Sequence, residues 1–327
     1  MIVYTGIIPV ITYGGTGRDI WYLGRELVKK GHSVSYLVGQ GSSCDFAQII
    51  PIDKSKGLAS QIPDAIDVVS FHHTPDDIDK VKKPYVITIH GNCNDFRTFD
   101  KNTIFVSKNH AARFGSDSYI YNGMDWDDYG KPDFTSAKNY FHFLGKAAWK
   151  VKNLKGAISV IKSTQQERLR VLGGHRFNIN MGIRLTFSPR VRFHGMVGGE
   201  EKNRLLRRSK GLLFPVRWHE PMGLAVIESL YLGAPVFGTP YGSLPEIVNE
   251  QVGYLSNSKS DLVDAVENAG QYSGKLCHEY AVANFNATVM TEAYIDRFHR
   301  VMNGAFLNKK PPKLVEKLSE PMLPWNP

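Results

Sequence analysis

Two glutamates, Glu220 and Glu228, flank a glycine in the stretch FPVRWHEPMGLAVIESLYLGAPVFGTPYGSLPEIV, which runs from Phe214 to Val248. Leu213 and Phe214 end an apolar strand, Pro221 sits where a first helical residue is expected, and Gly223 lets the backbone come close to a ligand. Leu224, Ile227, Leu230 and Tyr231 then recur at helical spacing, and Gly233 closes the helix before a short strand around Val236. The unpaired amides from Met222 to Leu224 and the positive end of the helix dipole together make an anion site. Such a strand, turn and helix suits a diphosphate. The plainer reading is an amphipathic helix carrying two solvated glutamates.

Cations stand elsewhere in the chain. In YFHFLGKAAWKVKNLKGAISVIKS a strand ends at Gly145 and a helix begins near Asn153, with Ala157, Ile158 and Ile161 as its buried stripe. Lys146, Lys150 and Lys152 lie between them, with Lys155 just beyond. At the start of the chain, GGTGR (Gly14 to Arg18) follows the apolar opening and leads into a helix with the stripe Ile20, Leu23, Leu27 and Val28; the strand SVSYLV comes next. This order opens a doubly wound domain. The glycines are not a dinucleotide fingerprint, because a third glycine is due at position 20, which is Ile20. YVITIHGN delivers His90 to the carboxyl end of a buried strand, where ligands sit in open α/β sheets. His72 and His73 are adjacent, so they point to opposite faces of a strand and make no ready chelate. Asp125 and Asp127 form a D-x-D just after a turn signal, which reads as a surface loop.

The E-x7-E arrangement, EPMGLAVIES followed by LGAPV and LPEIV, resembles the family 4 retaining glycosyltransferases of the GT-B fold. The resemblance implies two Rossmann-like, doubly wound domains facing across a cleft. By the same resemblance Glu220 faces the transferred sugar, Glu228 holds the nucleotide ribose, and the amides of Gly223 and Leu224, with Met222 beside them, bind the donor diphosphate. Gly15 touches that diphosphate from the N-terminal domain, with Arg18 as a second candidate there, and His90 hydrogen bonds the sugar or acceptor near the reacting carbon. Lys146 stands where the family usually has an arginine, which keeps the charge and loses bidentate geometry. Lys152, or alternatively Lys150, is the second cation. Gly195 and Val197 of HGMV meet the nucleotide base.

The activity implied is a metal-independent, retaining hexosyl transfer from a nucleoside diphosphate sugar to a hydroxyl acceptor, which is a glycan, a lipid-linked molecule or a small molecule. Polysaccharide or glycolipid biosynthesis is the setting, with no cofactor and no metal. A GT-B sugar-nucleotide 2-epimerase, a metal-dependent transferase using Asp125 and Asp127, and a silent nucleotide-sugar or glycan binding protein are the rivals.

Length and composition accommodate this. The 327 residues allow two domains with sizeable cores. The polar segment GKPDFTSAK suggests a hinge, giving residues 1–134 as the acceptor-side domain and 135–287 as the nucleotide-sugar domain. A helix over about 288–303 packs back on the first, and 304–327 is an extended tail in which Trp325 docks. Ser243 and Glu246 make a capping box for a further helix. The three cysteines, Cys44, Cys93 and Cys277, are far apart and argue against a disulfide framework, which fits a reducing cytosol. The net charge of +9 fits an anionic partner: the nucleotide sugar, or an anionic membrane met peripherally at the inner face. No nucleic-acid partner is expected, and no apolar run is long enough to span a bilayer.

Overall fold

The computed structural model describes residues 1–10, 14–178 and 184–327. Their contacts divide the chain into two units, one holding Met1–Val10, Gly14–Asp125 and Phe285–Leu318, the other Trp126–Asn284 and Ser319–Pro327. The division falls at Asp125, before the polar hinge segment. Trp126 and Tyr129 are already buried in the second unit, where the Trp126 ring stacks on Tyr231 at 4.2 Å.

In the first unit, strands β1 (Ile2–Tyr4), β2 (Ser35–Val38), β3 (Gln48–Pro51), β4 (Val69–Phe71), β5 (Tyr85–Ile89) and β6 (Thr103–Phe105) form one parallel sheet in the order β3-β2-β1-β4-β5-β6. The strands read as continuous apolar runs because the middle of the sheet is buried: Val3, Leu37, Val69, Phe71 and Ile87 are all inaccessible. Helix α1 (Gly15–Lys29) follows β1 and buries Ile20, Leu23 and Leu27; the short helix α2 (Lys108–Arg113) follows β6.

The second unit repeats the plan. Strands β7 (Tyr140–Leu144), β8 (Leu169–Leu172), β11 (Val191–Phe193), β12 (Ser209–Phe214), β13 (Val236–Gly238) and β14 (Gly253–Leu255) form a parallel sheet in the order β11-β8-β7-β12-β13-β14, beside a two-residue antiparallel pair, β9 (Phe177–Asn178) and β10 (Arg184–Leu185). Its helices are α3 (Leu154–Ser163), α4 (Gly199–Arg207), α5 (Leu224–Tyr231), α6 (Leu244–Ile247), α7 (Lys259–Glu267) and α8 (Gly274–Asn284). The core joins Phe141, Phe143, Val171, Val191, Leu213 and Phe237 from the sheet to Ala157, Val160 and Ile161 of α3 and to Leu262 and Val266 of α7.

Both sheets therefore count 3-2-1-4-5-6 within their own unit, so each has a switch point between its first and fourth strands where ligand crevices form. In the first unit that point lies between β1 and β4, and in the second between β7 and β12. The long helix α9 (Ala287–Met302) returns the chain to the first unit, where the buried hydroxyl of Tyr294 lies 2.9 Å from that of Thr88 on β5.

Two local expectations differ from the structure. Pro221 is not the first helical residue: α5 begins at Leu224, because Gly223 as N-cap adopts φ +78°, the left-handed region that favours glycine. Ser243 caps nothing with its side chain; its hydroxyl instead donates to the Met222 carbonyl at 2.9 Å. The segment after α9 carries no further helix and is packed down along its length. Leu314 is buried with Phe99, Phe105 and Phe114 in the first unit, and Trp325 packs against the core of the second.

Candidate functional site

The loop after β7 and the loop after β12 meet at the switch point of the second sheet, and their side chains converge. After β7 the chain makes a 3₁₀ turn, Lys150–Lys152, and enters α3 through Asn153, whose left-handed backbone (φ 53°) and side-chain bond to the Gly156 amide start the helix. The turn sends Lys152 inward, to 7% exposure, and leaves Lys150 exposed. Lys152 Nζ donates to Glu220 Oε2 at 2.6 Å, and the indole Nε1 of Trp218 donates to the same oxygen at 2.7 Å. The ammonium also lies 5.0 Å from the Phe214 ring centre and 4.9 Å from that of Trp218, within cation–π range. An ammonium has three donors and Glu220 takes one. Glu220 Oε1 has no hydrogen-bond partner among the described residues.

Lys146 reaches the same neighbourhood through aromatics. It is exposed, its Nζ sits 5.3 Å from the Trp149 ring centre, and Trp149 meets Trp218 edge to face at 6.2 Å. The backbone under Glu220 is held from the other side by the loop after β13. The Ser243 amide donates to the Glu220 carbonyl at 2.9 Å, and Gly242, at φ +67°, lies so close that any Cβ there would collide with the Glu220 backbone.

Gly223 and Leu224 open α5, so their amides face the loop at the positive end of the helix. Glu228 lies one helical layer further in and is 2% exposed. Its Oε1 accepts from Lys202 Nζ of α4 at 2.7 Å and from the Tyr129 hydroxyl at 2.6 Å. A carboxylate so buried is tolerable only with such donors. Gly195 and Val197 occupy the loop after β11, on the carboxyl edge of the same sheet; Gly195 holds φ +69°, and its carbonyl accepts from the Gly173 amide at 2.6 Å.

The first unit carries the other candidates. Gly15 is the first residue of α1, and Arg18 Nε reaches the Gly14 carbonyl at 3.4 Å. His90 follows β5 directly, and its Nε2 lies 2.9 Å from Nδ1 of His72, the two rings stacked with centres 5.2 Å apart. Burial takes the His90 imidazole down to about 4, so it is neutral at pH 7. His72 is lowered as well, first by its own burial and then by His90. Its Nδ1 is thus spent on His90 rather than on a metal. Asp125 of the D-x-D is engaged by Arg25 at 2.9 Å and Lys29 at 3.1 Å. Among the described residues no group of three or more His, Cys, Asp or Glu is placed to hold a metal ion.

Sequence reasoning missed Trp218, Tyr129, Lys202 and the Gly242–Ser243 support. Trp218 was within reach, since an indole donor two residues before a glutamate can turn back onto it. Nothing in the sequence marks Lys202 or Tyr129, which meet Glu228 only through the fold.

Two parallel six-stranded sheets, each with its switch point, place the fold in the GT-B class. Residues 138–271 match the family described as Glycosyl transferases group 1, which supports a glycosyltransferase of that group. Among solved structures, the chain is similar to AviGT4, a glycosyltransferase involved in avilamycin A biosynthesis, with a TM-score of 0.76 and 20% identity, covering 93% of this chain and 98% of that one. It is similar to sucrose-phosphate synthase from Thermosynechococcus elongatus (TM-score 0.71, 15% identity, 93% and 99% covered). It is also similar to Anabaena HepE in complex with UDP-glucose (TM-score 0.65, 13% identity, 91% and 98% covered). At these identities the likeness establishes the fold. No curated protein sequence matches the chain.

Proposed function

We propose that this protein is a family 4 enzyme that transfers a hexosyl unit from a nucleoside diphosphate sugar to a hydroxyl acceptor, with retention at the anomeric carbon and without a metal ion. One observation carries the reading: Lys152 and Glu220 are paired beside the start of α5, at the switch point of the second sheet. As the glycosidic bond breaks, negative charge builds on the leaving diphosphate. Lys146, the two remaining donors of Lys152 and the amides of Gly223 and Leu224 stabilise that charge more than they stabilise the ground state. Glu228, steadied by Lys202 and Tyr129, takes the ribose hydroxyls. Gly195 and Val197 meet the base, and Gly15 with Arg18 serves the diphosphate from the first unit.

Glu220 positions the sugar. With Oε2 committed to Lys152 and Trp218, its Oε1 is left to accept from a sugar hydroxyl, so it is a poor candidate for a covalent nucleophile. The acceptor hydroxyl attacks from the face the diphosphate leaves, and a diphosphate oxygen takes its proton. His90, neutral at pH 7, supplies a hydrogen bond near the reacting carbon rather than a charge. The acceptor is a glycan, a lipid-linked molecule or a small molecule.

Peripheral contact with an anionic membrane at its cytoplasmic face has support in the first unit. There Phe306 is 60% exposed, with Lys101 4.9 Å from its ring centre and Arg300 and Lys309 beside it. Equal binding to neutral and anionic vesicles would remove that contact. For the reaction, a thermal-shift panel of nucleotide sugars names the donor, since ligand at about a hundred times its dissociation constant adds about 2.7 kcal/mol. Product stereochemistry by NMR then tests retention. A sugar trapped covalently on Glu220 would overturn the positioning role, and a changed nucleotide sugar released without acceptor would favour the 2-epimerase.

A further inference from the structure

The chain from Ser319 to Pro327 leaves the first unit and belongs to the second, where it touches the two supports of Glu220. The first support is Arg217. Its amide donates to the Val151 carbonyl at 2.7 Å, in the middle of the turn that carries Lys152, and three residues later in the chain stands Glu220. Arg217 is gripped from outside on both its groups: its carbonyl accepts from the Leu323 amide at 2.8 Å, and its Nε donates to the Leu323 carbonyl at 2.7 Å. The second support is the loop after β13. The Tyr241 hydroxyl donates to the Pro324 carbonyl at 2.8 Å, and the adjoining residues Gly242 and Ser243 bear on the Glu220 backbone. Beyond them Trp325 packs against the core, and Asn326 closes the strap with bonds of 2.9 Å to the Asn257 carbonyl and 2.8 Å from the Lys259 amide.

We infer that the segment Leu323–Asn326 is a strap that fixes the Lys152–Trp218–Glu220 constellation through Arg217 and Tyr241, making Arg217 and Trp325 positioning residues for sugar transfer. The strap's bonds go to Arg217, Tyr241, Asn257 and Lys259 rather than to Lys152, Glu220 or Glu228. Its loss should therefore loosen the sugar end of the site and leave the nucleotide end, which rests on Glu228, Lys202 and Tyr129, as it was. The inference rests on the transferase reading for its catalytic meaning and on geometry alone for the coupling.

Three variants of the full chain test it: Trp325→Ala, which removes the anchor; Leu323→Pro, which removes the amide donor to Arg217; and Trp325→Phe, which keeps an aromatic anchor. In the first two, hydrogen exchange at the amides of Arg217 and Ser243 should quicken by about tenfold or more while the β7 and β12 amides stay protected. Turnover of the donor found by the panel should fall by about tenfold or more, with affinity for the matching nucleoside, which lacks the diphosphate that Lys152 serves, changed by less than about threefold. Trp325→Phe should restore both. Unchanged exchange at Arg217 and Ser243, or exchange that quickens throughout the second unit with nucleoside affinity lost in parallel, would overturn the strap. If the wild type turns over no nucleotide sugar, the transferase reading fails, and the exchange measurement still decides the coupling.

Discussion

Replacing Lys152 by methionine keeps the aliphatic stem between Phe214 and Trp218 and deletes only the ammonium. The partner left behind, Glu220, is 7% exposed, and its Oε2 lies 2.6 Å from Lys152 Nζ. At that distance two unit charges attract by roughly 6 kcal/mol at an effective dielectric of about 20. Desolvation of both groups offsets much of this, so the pair as a whole contributes little. Removing one member is different, because the other is stranded, and such truncations cost about 3 to 5 kcal/mol. Trp218 Nε1 remains as a donor to the carboxylate, which places Lys152→Met near the lower end, about 3 kcal/mol. Adding Glu220→Gln removes the stranded charge and should return stability to within about 1 kcal/mol of the wild type. Urea denaturation followed by tryptophan fluorescence reads this, in the transition that belongs to the second unit. Turnover should part company with stability: down by more than about tenfold in Lys152→Met and still down in the double variant, since neither restores a cation at the leaving diphosphate. A Lys152→Met protein within about 0.5 kcal/mol of the wild type, or with near-normal turnover, would refute the reasoning.

Gly242→Ala should abolish turnover, because its Cβ would displace the Glu220 backbone. Gly223→Ala, whose Cβ meets Glu220 Cγ at 3.3 Å and whose φ is +78°, should cost about 1 to 2 kcal/mol in a melt and weaken nucleoside diphosphate binding. A Gly242→Ala enzyme more active than Gly223→Ala would contradict this order. Tyr129→Phe removes a donor to a buried carboxylate and should destabilise by about 1.5 to 3 kcal/mol in urea titration, with nucleotide affinity reduced; full affinity would separate Glu228 from the ribose. Burial lowers His90 to about 4 and His110 and His142 to about 3, so each is neutral in the fold and charges more readily when unfolded. Their contribution is complete above about pH 6.5 and is lost progressively as the pH falls from there toward 3, so the melting temperature should drop across that window. A melting temperature flat between pH 6.5 and 4 would count against it.

The order of elements was legible because parallel strands buried on both faces leave uninterrupted apolar runs, and the helices between them keep a clear stripe. Glu220, Gly223 and Glu228 were legible for a local reason, since their spacing on one turn and helix is fixed by the backbone alone. The choice between Lys150 and Lys152 was not. Both stand in one basic loop, and only the handedness of the 3₁₀ turn buries one and exposes the other. Lys202 sits in KNRLLRRS, which reads as an ordinary basic amphipathic helix, and its ammonium finds Glu228 through packing of α4 rather than through sequence spacing. Pro221 misplaced the start of α5 because a proline marks a helical first turn only on average, and here the left-handed Gly223 sets the boundary. Ser243 followed by Glu246 has the letters of a capping box, yet the Met222 carbonyl competes for its hydroxyl and wins.

The first unit is built from two stretches of chain, with the whole of residues 126–284 lying between them. During synthesis on a ribosome that intervening stretch emerges while α1 and β5 still lack the helix that covers them, so Tyr294 is a late arrival at Thr88. The nascent N-terminal sheet must wait with an apolar flank uncovered, whereas the second sheet can close as soon as its own strands are out. Misfolding and chaperone demand should accordingly concentrate in the portion translated first, and a chain stalled with residue 285 just clear of the ribosomal exit tunnel should expose a protease-sensitive leading half and a better protected trailing one.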